Sequence, residues 1–567
     1  MFAVFAFSGL YLWQSWEHEQ QLKHPQPTTQ GAASTQATNA TPKTPDVPTA
    51  ESSAPAADKV PSNSVPTAAA STTPSLPPVK ISTDLYTAEI DPVGGVITQM
   101  ALLKQPDALD KTKPYYVLQK NSERLFVAQS GLIGEGMPNH WTTYEVLSAQ
   151  RDLKEGEKSF DLHLGATAAN GDHVEQILTF HRDSYVIDVT FKITNTSAAA
   201  ISPYAYFQFT RDTKESVKRS SMAPKSYTGP VINNAVDNFK KVGFDELDKI
   251  AADPATHKLP FTASNDNGWV AMIEHYFVTA WALPDSNTSQ REFYANKNKT
   301  GEGLYSAGMK LSMGDIAPGA SAEISVPMYA GPQEQDVLKG LAKDLNRVVD
   351  YGVFTVIAAP MFWLLKFLHR MIDNWGWSII AMTFLIRLVF YPLNAAAARS
   401  MAKMRVVAPK LKELQEQFKD DKQQLQAKMM EMYRQEKINP LGGCLPILIQ
   451  MPFFIALYWV LLSAAELRYA PWLGWISDLS APDPFFILPV LYAISAFLQM
   501  KLSPTPISDP TQARMMQMMP VVFSILFIFF PSGLVLYWLV SNLLQILQQW
   551  HVNRMLEKER HAAALKA

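Results

Sequence analysis

The sequence predicts an α-helical polytopic membrane protein that also carries a large all-β domain outside the membrane. Two observations predict this class. Hydrophobic residues make up 47% of the 567-residue chain and charged residues only 18%, below the roughly 25% of ordinary soluble proteins, and almost all long uncharged runs follow Phe354. From 81 to 344, by contrast, apolar and polar residues alternate in short segments, as they do in half-buried β-strands.

The composition also excludes several functional classes. The chain has 50 Lys and Arg against 52 Asp and Glu, so no basic field attracts nucleic acid. A single cysteine, Cys444, excludes an internal disulfide, a zinc site built on cysteines and a CxxC redox motif. The sequence contains no GxGxxG or GxxxxGK[ST] loop, no HExxH and no GxSxG. We therefore expect no metal, no cofactor and no enzymatic activity.

The first 80 residues predict an anchor and a linker. Residues 1–16 are apolar, carry the interfacial tryptophans Trp13 and Trp16, and predict an uncleaved transmembrane anchor. Because such a helix covers only about 24 Å of a hydrocarbon core of about 30 Å, we expect the natural chain to begin a few residues earlier. Residues 17–80, with eleven prolines after position 24, predict a disordered periplasmic linker.

Residues 81–344 predict one antiparallel β-sandwich. The clearest signal is a hairpin in which 174–182 and 185–195 flank the turn Asp183-Ser184. Leu85–Ile97, interrupted by a Pro-Val-Gly-Gly run, and Ala322–Tyr329 alternate in a similar way. A domain of this length is large enough to fold without disulfides.

The remaining chain predicts one amphipathic helix followed by five membrane spans. Within 345–373, Lys366, His369, Arg370 and Asp373 form a polar stripe, which is typical of a helix lying in the membrane interface. A sixth C-terminal span is the alternative interpretation of this segment. Five spans are predicted within 374–550, namely Trp375–Leu393, Leu441–Ala464, Pro484–Leu502, Met515–Phe530 and Leu534–Leu547.

Loop charges predict the orientation of these spans. Loop 394–440 contains ten Lys or Arg and six Asp or Glu, whereas 465–483 contains only Arg468 against three acidic residues. By the positive-inside rule, loop 394–440 and the basic tail 551–567 are cytoplasmic and 465–483 lies outside. The chain then crosses the membrane six times, both termini are cytoplasmic, and the β domain is external.

Arg387, at the end of the run Thr383–Arg387 (TFLIR), is predicted in the middle of a span, about 18 Å from Trp375. An unpaired arginine at that depth costs at least about 2.5–3.5 kcal/mol, so we expect it to face water or a substrate. Snorkelling toward the cytoplasmic headgroups is the alternative. Polar residues at comparable depth on other spans would line the same groove, or else form interhelical hydrogen bonds. They are Gln450, Ser541, Asn542 and Gln545.

The cytoplasmic loop 394–440 predicts a helical hairpin, with helices over Ala396–Phe418 and Gln423–Gln435. Its methionines predict a surface that accepts varied apolar partners, with ordinary core filling as the alternative for each of them. The predicted capture residues are Met401, Met404, Met429, Met430 and Met432.

Several motifs resemble those of the YidC membrane protein insertase family. They are NPLGGCLP at 439–446, QMP at 450–452, FLIRLVFYPL at 384–393, FPSGLVLY at 530–537 and VSN at 540–542. The resemblance covers the whole chain, in the form typical of two-membraned bacteria, and is strongest over 350–555. It departs at Phe529, where the family pattern has a tryptophan.

The resemblance implies a protein that inserts and folds newly made membrane proteins in the inner membrane, alone or with the Sec translocon. In this family a hydrophilic groove, open to cytoplasm and lipid, holds a positive residue that matches Arg387 here, and Tyr537 matches a groove aromatic. Thr383, which directly precedes the matching stretch 384–393, is expected to line the same groove. The cytoplasmic hairpin captures incoming chains, and the periplasmic domain is a β-super-sandwich similar to sugar mutarotases. Implied partners are nascent membrane proteins, the Sec translocon, the ribosome, the signal-recognition receptor and membrane lipids.

Three other functions stay open on the residues alone. A secondary transporter would show inverted repeats and broken helices at mid-membrane, and the five predicted C-terminal spans show no such repeat. A structural anchor that displays the β domain would not need five spans or a buried arginine. A carbohydrate-active β domain would be recognised by sugar titration of residues 81–344.

Overall fold

The structure is a computed structural model that describes residues 76–107, 110–214, 226–298, 303–418, 421–435, 445–502, 518 and 522–564. The predicted anchor at 1–16, nearly all of the predicted linker at 17–80, and Cys444 lie outside the described residues.

Two antiparallel nine-stranded sheets occupy the first part of the described chain. The first sheet has the spatial order β1 (Val79–Ser82), β2 (Tyr86–Asp91), β3 (Val96–Pro106), β4 (Pro114–Lys120), β5 (Leu125–Ile133), β10 (Tyr204–Arg211), β17 (Tyr305–Ser312), β16 (Arg291–Lys297) and β13 (Ser264–Asn265). The second has the order β12 (Asn238–Lys241), β11 (Thr228–Asn234), β14 (Trp269–Glu274), β15 (Phe277–Ala282), β18 (Ser321–Pro332), β9 (Val186–Thr194), β8 (His173–His181), β7 (Ser159–Thr167) and β6 (Glu145–Val146).

The predicted hairpin is confirmed. Strands β8 and β9 pair antiparallel, with Val174 opposite Ile193 and Leu178 opposite Val189, and Asp183 takes a positive φ in the connecting turn. Alternate side chains of β9, including Ile193 and Phe191, are fully buried in the core between the sheets. Period-2 alternation therefore identified both the strands and the face that each one buries.

The interrupted hairpin Leu85–Ile97 is confirmed as well. Strands β2 and β3 pair antiparallel across the turn, where Gly94 and Gly95 both adopt positive φ. A Cβ on Gly94 would lie 2.2 Å from the carbonyl oxygen of His140, so only glycine fits between this turn and the segment packed on it.

Nine helices of seven residues or more follow or interrupt the strands in the described chain. They are α1 (Phe244–Ala252), α2 (Gln335–Leu341), α3 (Thr355–Ile372), α4 (Trp375–Val389), α5 (Tyr391–Gln417), α6 (Lys422–Gln435), α7 (Leu445–Ser463), α8 (Ile487–Leu502) and α9 (Ser532–Ala564). Residues 522–527 are also helical. Helices α5 and α6 confirm that loop 394–440 contains two helices.

The segment predicted as the span Trp375–Leu393 is bent near its C-terminal end. Helix α4 ends at Val389, and the following helical segment is bent from it by 60°. The bend has a local cause, because Pro392 lacks a backbone N–H and its ring clashes with the carbonyl four residues earlier. The proline is instead accommodated in the first turn of α5.

By length and composition, one described helical segment, Gly352–Ile372, could cross a membrane, and a second candidate arises if the bent pair α4 and Tyr391–Ala397 counts as one span. Two shorter apolar helices, Ile449–Ser463 and Ile487–Lys501, accompany them. The helical residues 522–527 and α9 do not form one helix, because the chain turns after 527 and α9 begins at Ser532.

The β domain and the helices share one apolar cluster. Its β-domain side is the outer face of the second sheet, where Trp269 and Val278 are buried. The cluster continues through Leu345 and Phe362 to Leu457 in α7. Burying this continuous surface stabilises the two parts against one another.

Candidate functional site: the polar cluster around Arg387

Arg387 lies in the last turn of α4 and contacts α9. Its Nε and Nη2 atoms donate hydrogen bonds to the Ser541 hydroxyl oxygen at 3.1 and 2.6 Å, and Nη2 also approaches the Gln545 side-chain oxygen at 3.3 Å. Ser541 and Gln545 are four residues apart, so they occupy one face of α9. Together the three side chains form what we call the Arg387 cluster.

The acceptors in the Arg387 cluster are uncharged. Among the described residues, no carboxylate forms an ion pair with Arg387. The β domain shows the opposite arrangement, because Arg124 and Arg211 each pair with Glu274 at 2.7 Å. The positive charge of Arg387 is therefore oriented by neutral groups but not neutralised by them, and it can still attract a negatively charged group.

The Arg387 cluster is open on one side. Ser541 is buried, Arg387 is half-buried and Gln545 is exposed. The break after Val389 places the arginine at the end of α4, where the helix dipole favours a cation. This arrangement can hold a polar or acidic peptide segment by charge and hydrogen bonding.

Two predicted groove residues direct their polar atoms elsewhere. The Thr383 hydroxyl is buried and donates to the backbone carbonyl of Ile379 at 2.6 Å, within its own helix. The Asn542 amide nitrogen donates to the Ser495 hydroxyl at 2.9 Å, so it joins α9 to α8. The Asn542 contact matches the interhelical alternative, and neither residue forms a hydrogen bond with Arg387.

Tyr537 lies one turn before Ser541 on α9, and Gln450 lies on α7. Tyr537 is buried, and its ring centroid lies 6.3 Å from that of Phe454. Gln450 is half-buried one turn before Phe454, and no hydrogen bond among the described residues joins it to Arg387.

The methionines of the predicted capture region divide into two groups. Met432 is buried against Val407, and Met429 packs on the same small cluster between α5 and α6. Met430 is 57% exposed. Met401 and Met404 lie in α5, and their side chains are outside the described residues. Of the methionines in this set whose side chains the structure describes, Met430 is exposed, Met429 is half-buried and Met432 is buried.

Sequence reasoning missed two contacts of α9, the partner of Asn542 on α8 and a hydrogen bond to the first residue of α5. Ser495 on α8 was not singled out, although it is a polar residue within a mostly apolar helix. The Gln548 amide nitrogen donates to the Tyr391 carbonyl at 3.1 Å, just after the bend. The four-residue spacing of Ser541 and Gln545 is a signal that could have indicated the face of α9 toward Arg387.

Groups of three or more His, Cys, Asp or Glu side chains that could hold a metal ion do not occur among the described residues.

Comparison with known proteins decides the family. The "YidC periplasmic domain" family model matches residues 78–364, and the "60Kd inner membrane protein" model matches residues 367–559. A membrane protein insertase YidC from Aromatoleum aromaticum is 46% identical over 564 residues, covering 99% of this chain and 98% of the relative. The chain belongs to the YidC family. A membrane protein insertase YidC from Nitrosomonas europaea is 47% identical over 565 residues, and the alignment covers 97% of this chain and 89% of the relative.

One similar solved structure is described as an active YidC insertase with its first transmembrane domain resolved. The alignment covers 84% of this chain and 92% of the solved chain, at 17% identity and a TM-score of 0.37. Membership of the YidC family makes this an inner-membrane protein with a periplasmic domain, and that domain is the pair of β-sheets described above.

Proposed function

We propose that this YidC protein takes newly made membrane proteins from the cytoplasm through a hydrophilic, lipid-open groove and inserts and folds them into the inner membrane. The observation that supports a hydrophilic groove is the Arg387 cluster, in which a charged guanidinium has only neutral partners among the described residues. A polar groove that ends partway across the membrane shortens the apolar barrier for a polar segment. The apolar segment of the substrate supplies the driving force by partitioning into lipid.

We propose six transmembrane helices, with both termini in the cytoplasm. The proposed parts are an anchor at 1–16, a linker at 17–80, the periplasmic domain at 81–344, an interfacial helix at 345–373, the five-helix core at 374–550 with its hairpin at 394–440, and a cytoplasmic tail at 551–567. The charge asymmetry of the loops supports this topology.

Contacts of α3 support its placement on the periplasmic side of the membrane. Lys366 pairs with Asp336 of α2 at 2.6 Å, and α2 directly follows the last β-strand. Val356, Trp363 and Met371 of α3 are each at least two-thirds exposed, which suits contact with lipid.

The proposed partners are nascent membrane proteins, the Sec translocon, the ribosome, the signal-recognition receptor and membrane lipids. The exposed Met430 supports a role of the hairpin in capturing apolar segments. The proposed mechanism needs neither a cofactor nor a chemical reaction, because charge attraction and lipid partitioning drive it.

The test uses purified protein in liposomes and a small membrane protein with an acidic translocated segment. Protease protection reports insertion by the wild type, Arg387→Ala and Arg387→Lys, without Sec components or ATP. We expect insertion by the wild type, a strong loss in Arg387→Ala and substantial retention in Arg387→Lys, because the lysine keeps the charge. Full insertion by Arg387→Ala would contradict the role of this charge, and no insertion by the wild type would contradict autonomous insertion.

A further inference from the structure

We propose that Arg468 is a positioning residue for the groove. It lies in the outer loop, residues 464–486 between α7 and α8, and docks this loop onto the periplasmic β domain. The same outer loop holds the first residues of both helices that carry the Arg387 cluster. The β domain thereby fixes the separation of α4 and α9, and this inference rests on the proposed insertase function.

The first step is the contact between Arg468 and the β domain. Its Nη1 donates to the Gln105 side-chain oxygen at 3.0 Å and its Nη2 to the Pro106 carbonyl at 2.5 Å, both at the end of β3. The guanidinium also lies 5.4 Å from the ring centroid of Tyr115 and 5.1 Å from that of Phe277. These two rings stack at 3.9 Å, and the flat guanidinium suits such an aromatic platform.

Tyr469, the next residue, is held in a strained conformation by the same contact. Its φ is +56°, a left-handed value that costs a bulky side chain about 1 kcal/mol or more. The phenol hydroxyl donates to the Asp107 carbonyl at 2.6 Å, while the backbone N–H donates to Asp478 at 3.1 Å. Such strain persists where the surrounding contacts determine the conformation, so the joint is a specific one.

The second step leads from the outer loop to α9. The Ser532 hydroxyl donates to the Asp478 carbonyl at 2.8 Å, and the Ser532 N–H donates to the Ala481 carbonyl at 2.7 Å. The Gly533 N–H donates to the Leu479 carbonyl at 2.9 Å. These bonds fix the first turn of α9, and Ser541 follows about 14 Å further along the same rigid helix.

The third step leads from the outer loop to α4. Asn374 accepts a hydrogen bond from the Trp377 N–H, which caps α4, and its amide nitrogen donates to the Pro471 carbonyl at 3.2 Å. Gly376 lies so close to Trp472 that an added Cβ would be 2.2 Å from the indole ring. Both helices of the Arg387 cluster are therefore fixed at their outer ends by one loop, which Arg468 and Tyr469 join to the β domain.

The test measures groove geometry and insertion separately in the full-length protein in liposomes. Spin labels replace the exposed Leu388 on α4 and Leu547 on α9 in a Cys444→Ser background, and pulsed dipolar spectroscopy gives their distance distribution. Arg468→Ala is compared with Lys80→Ala, which removes a surface ion pair with Glu89 in the first sheet. We expect Arg468→Ala to broaden the distribution and slow insertion about three- to tenfold, and Lys80→Ala to change neither.

A rescue experiment separates positioning from general loss of stability. In Arg468→Ala, cysteines replace Lys111 and Ser477, whose side chains lie across the joint at 3.5 Å, and a short bis-maleimide links them. Restored insertion is the expected result. An unchanged label distribution in Arg468→Ala would overturn the proposal, and so would a broadened distribution with normal insertion or a failure of the cross-link to restore insertion. If the wild type does not insert, the insertase proposal fails, and the label distribution alone decides whether Arg468 fixes the helices.

Discussion

Replacing Ser541 by alanine removes the hydroxyl that accepts two hydrogen bonds from Arg387. A hydrogen bond to a charged group contributes about 1.5–3 kcal/mol where water is excluded. Because Arg387 is half-buried and Gln545 is exposed, water can replace the lost hydroxyl. The free energy that holds the guanidinium in its observed orientation should therefore fall by about 1 kcal/mol. That corresponds to about a fivefold fall in the population of the oriented guanidinium.

The assay is liposome insertion at limiting substrate, with translocated segments that carry increasing numbers of acidic residues. Ser541→Ala should slow insertion by up to about fivefold, and the loss should grow with the acidity of the segment because the orientation of a positive charge is affected. The neighbouring variant Asn542→Ala is the matched control. It removes a contact with Ser495 and leaves the Arg387 contacts in place, so any loss should be independent of substrate charge.

Two results would refute this reasoning. Unchanged insertion by Ser541→Ala would mean that orientation of the guanidinium does not matter. An equal, charge-dependent loss in Asn542→Ala would mean that general packing of α9, and not the bonds to Arg387, determines the effect.

Three further predictions concern stability. Gly376→Ala should destabilise the folded protein by about 1–3 kcal/mol, because its Cβ would overlap a tryptophan ring, and a lower thermal midpoint would show it. Glu274→Gln should cost about 3–5 kcal/mol in chemical unfolding of the β domain, because two buried arginines lose their charged partner, whereas the exposed Glu292→Gln should cost little. Burial raises the pKa of Glu466 to about 7, against opposing effects of Lys366, so its carboxyl stabilises the fold below its unfolded pKa and loses this contribution as pH rises through about 7. The thermal midpoint of the wild type should therefore fall more between pH about 5 and about 8 than the midpoint of Glu466→Gln does. An equal dependence of the two midpoints on pH would contradict this.

Sequence reasoning succeeded where the determinants are local. The β8–β9 hairpin follows from alternation and a two-residue turn, which lie within about twenty residues of each other. The pairing of β5 with β10 joins residues such as Gln129 and Gln208, and no local pattern encodes such a distant neighbour. The bend after Val389 has a visible cause in Pro392, but the surrounding hydropathy is continuous and conceals the break.

The same distinction applies to the site. The low charge of the surrounding span made Arg387 conspicuous, whereas its contact with Ser541 joins residues 154 positions apart. Arg468 was noted only as a loop charge. Its aromatic platform comes from Tyr115 and Phe277, which belong to different sheets, so the joint exists only after the β domain has folded.

Helix α9 has a consequence of a different kind. It runs without a break over 33 residues, about 50 Å, so it exceeds a hydrocarbon core of about 30 Å by several turns. The hydrogen bond from Gln548 to Tyr391 steadies it near its middle. A continuous helix carries rotation about its axis from one end to the other, so a torque applied near Arg554 would turn the face that holds Ser541. In the proposed topology, one continuous helix thus lines the Arg387 cluster and extends into the cytoplasm, where a bound partner would act on the orientation of Arg387.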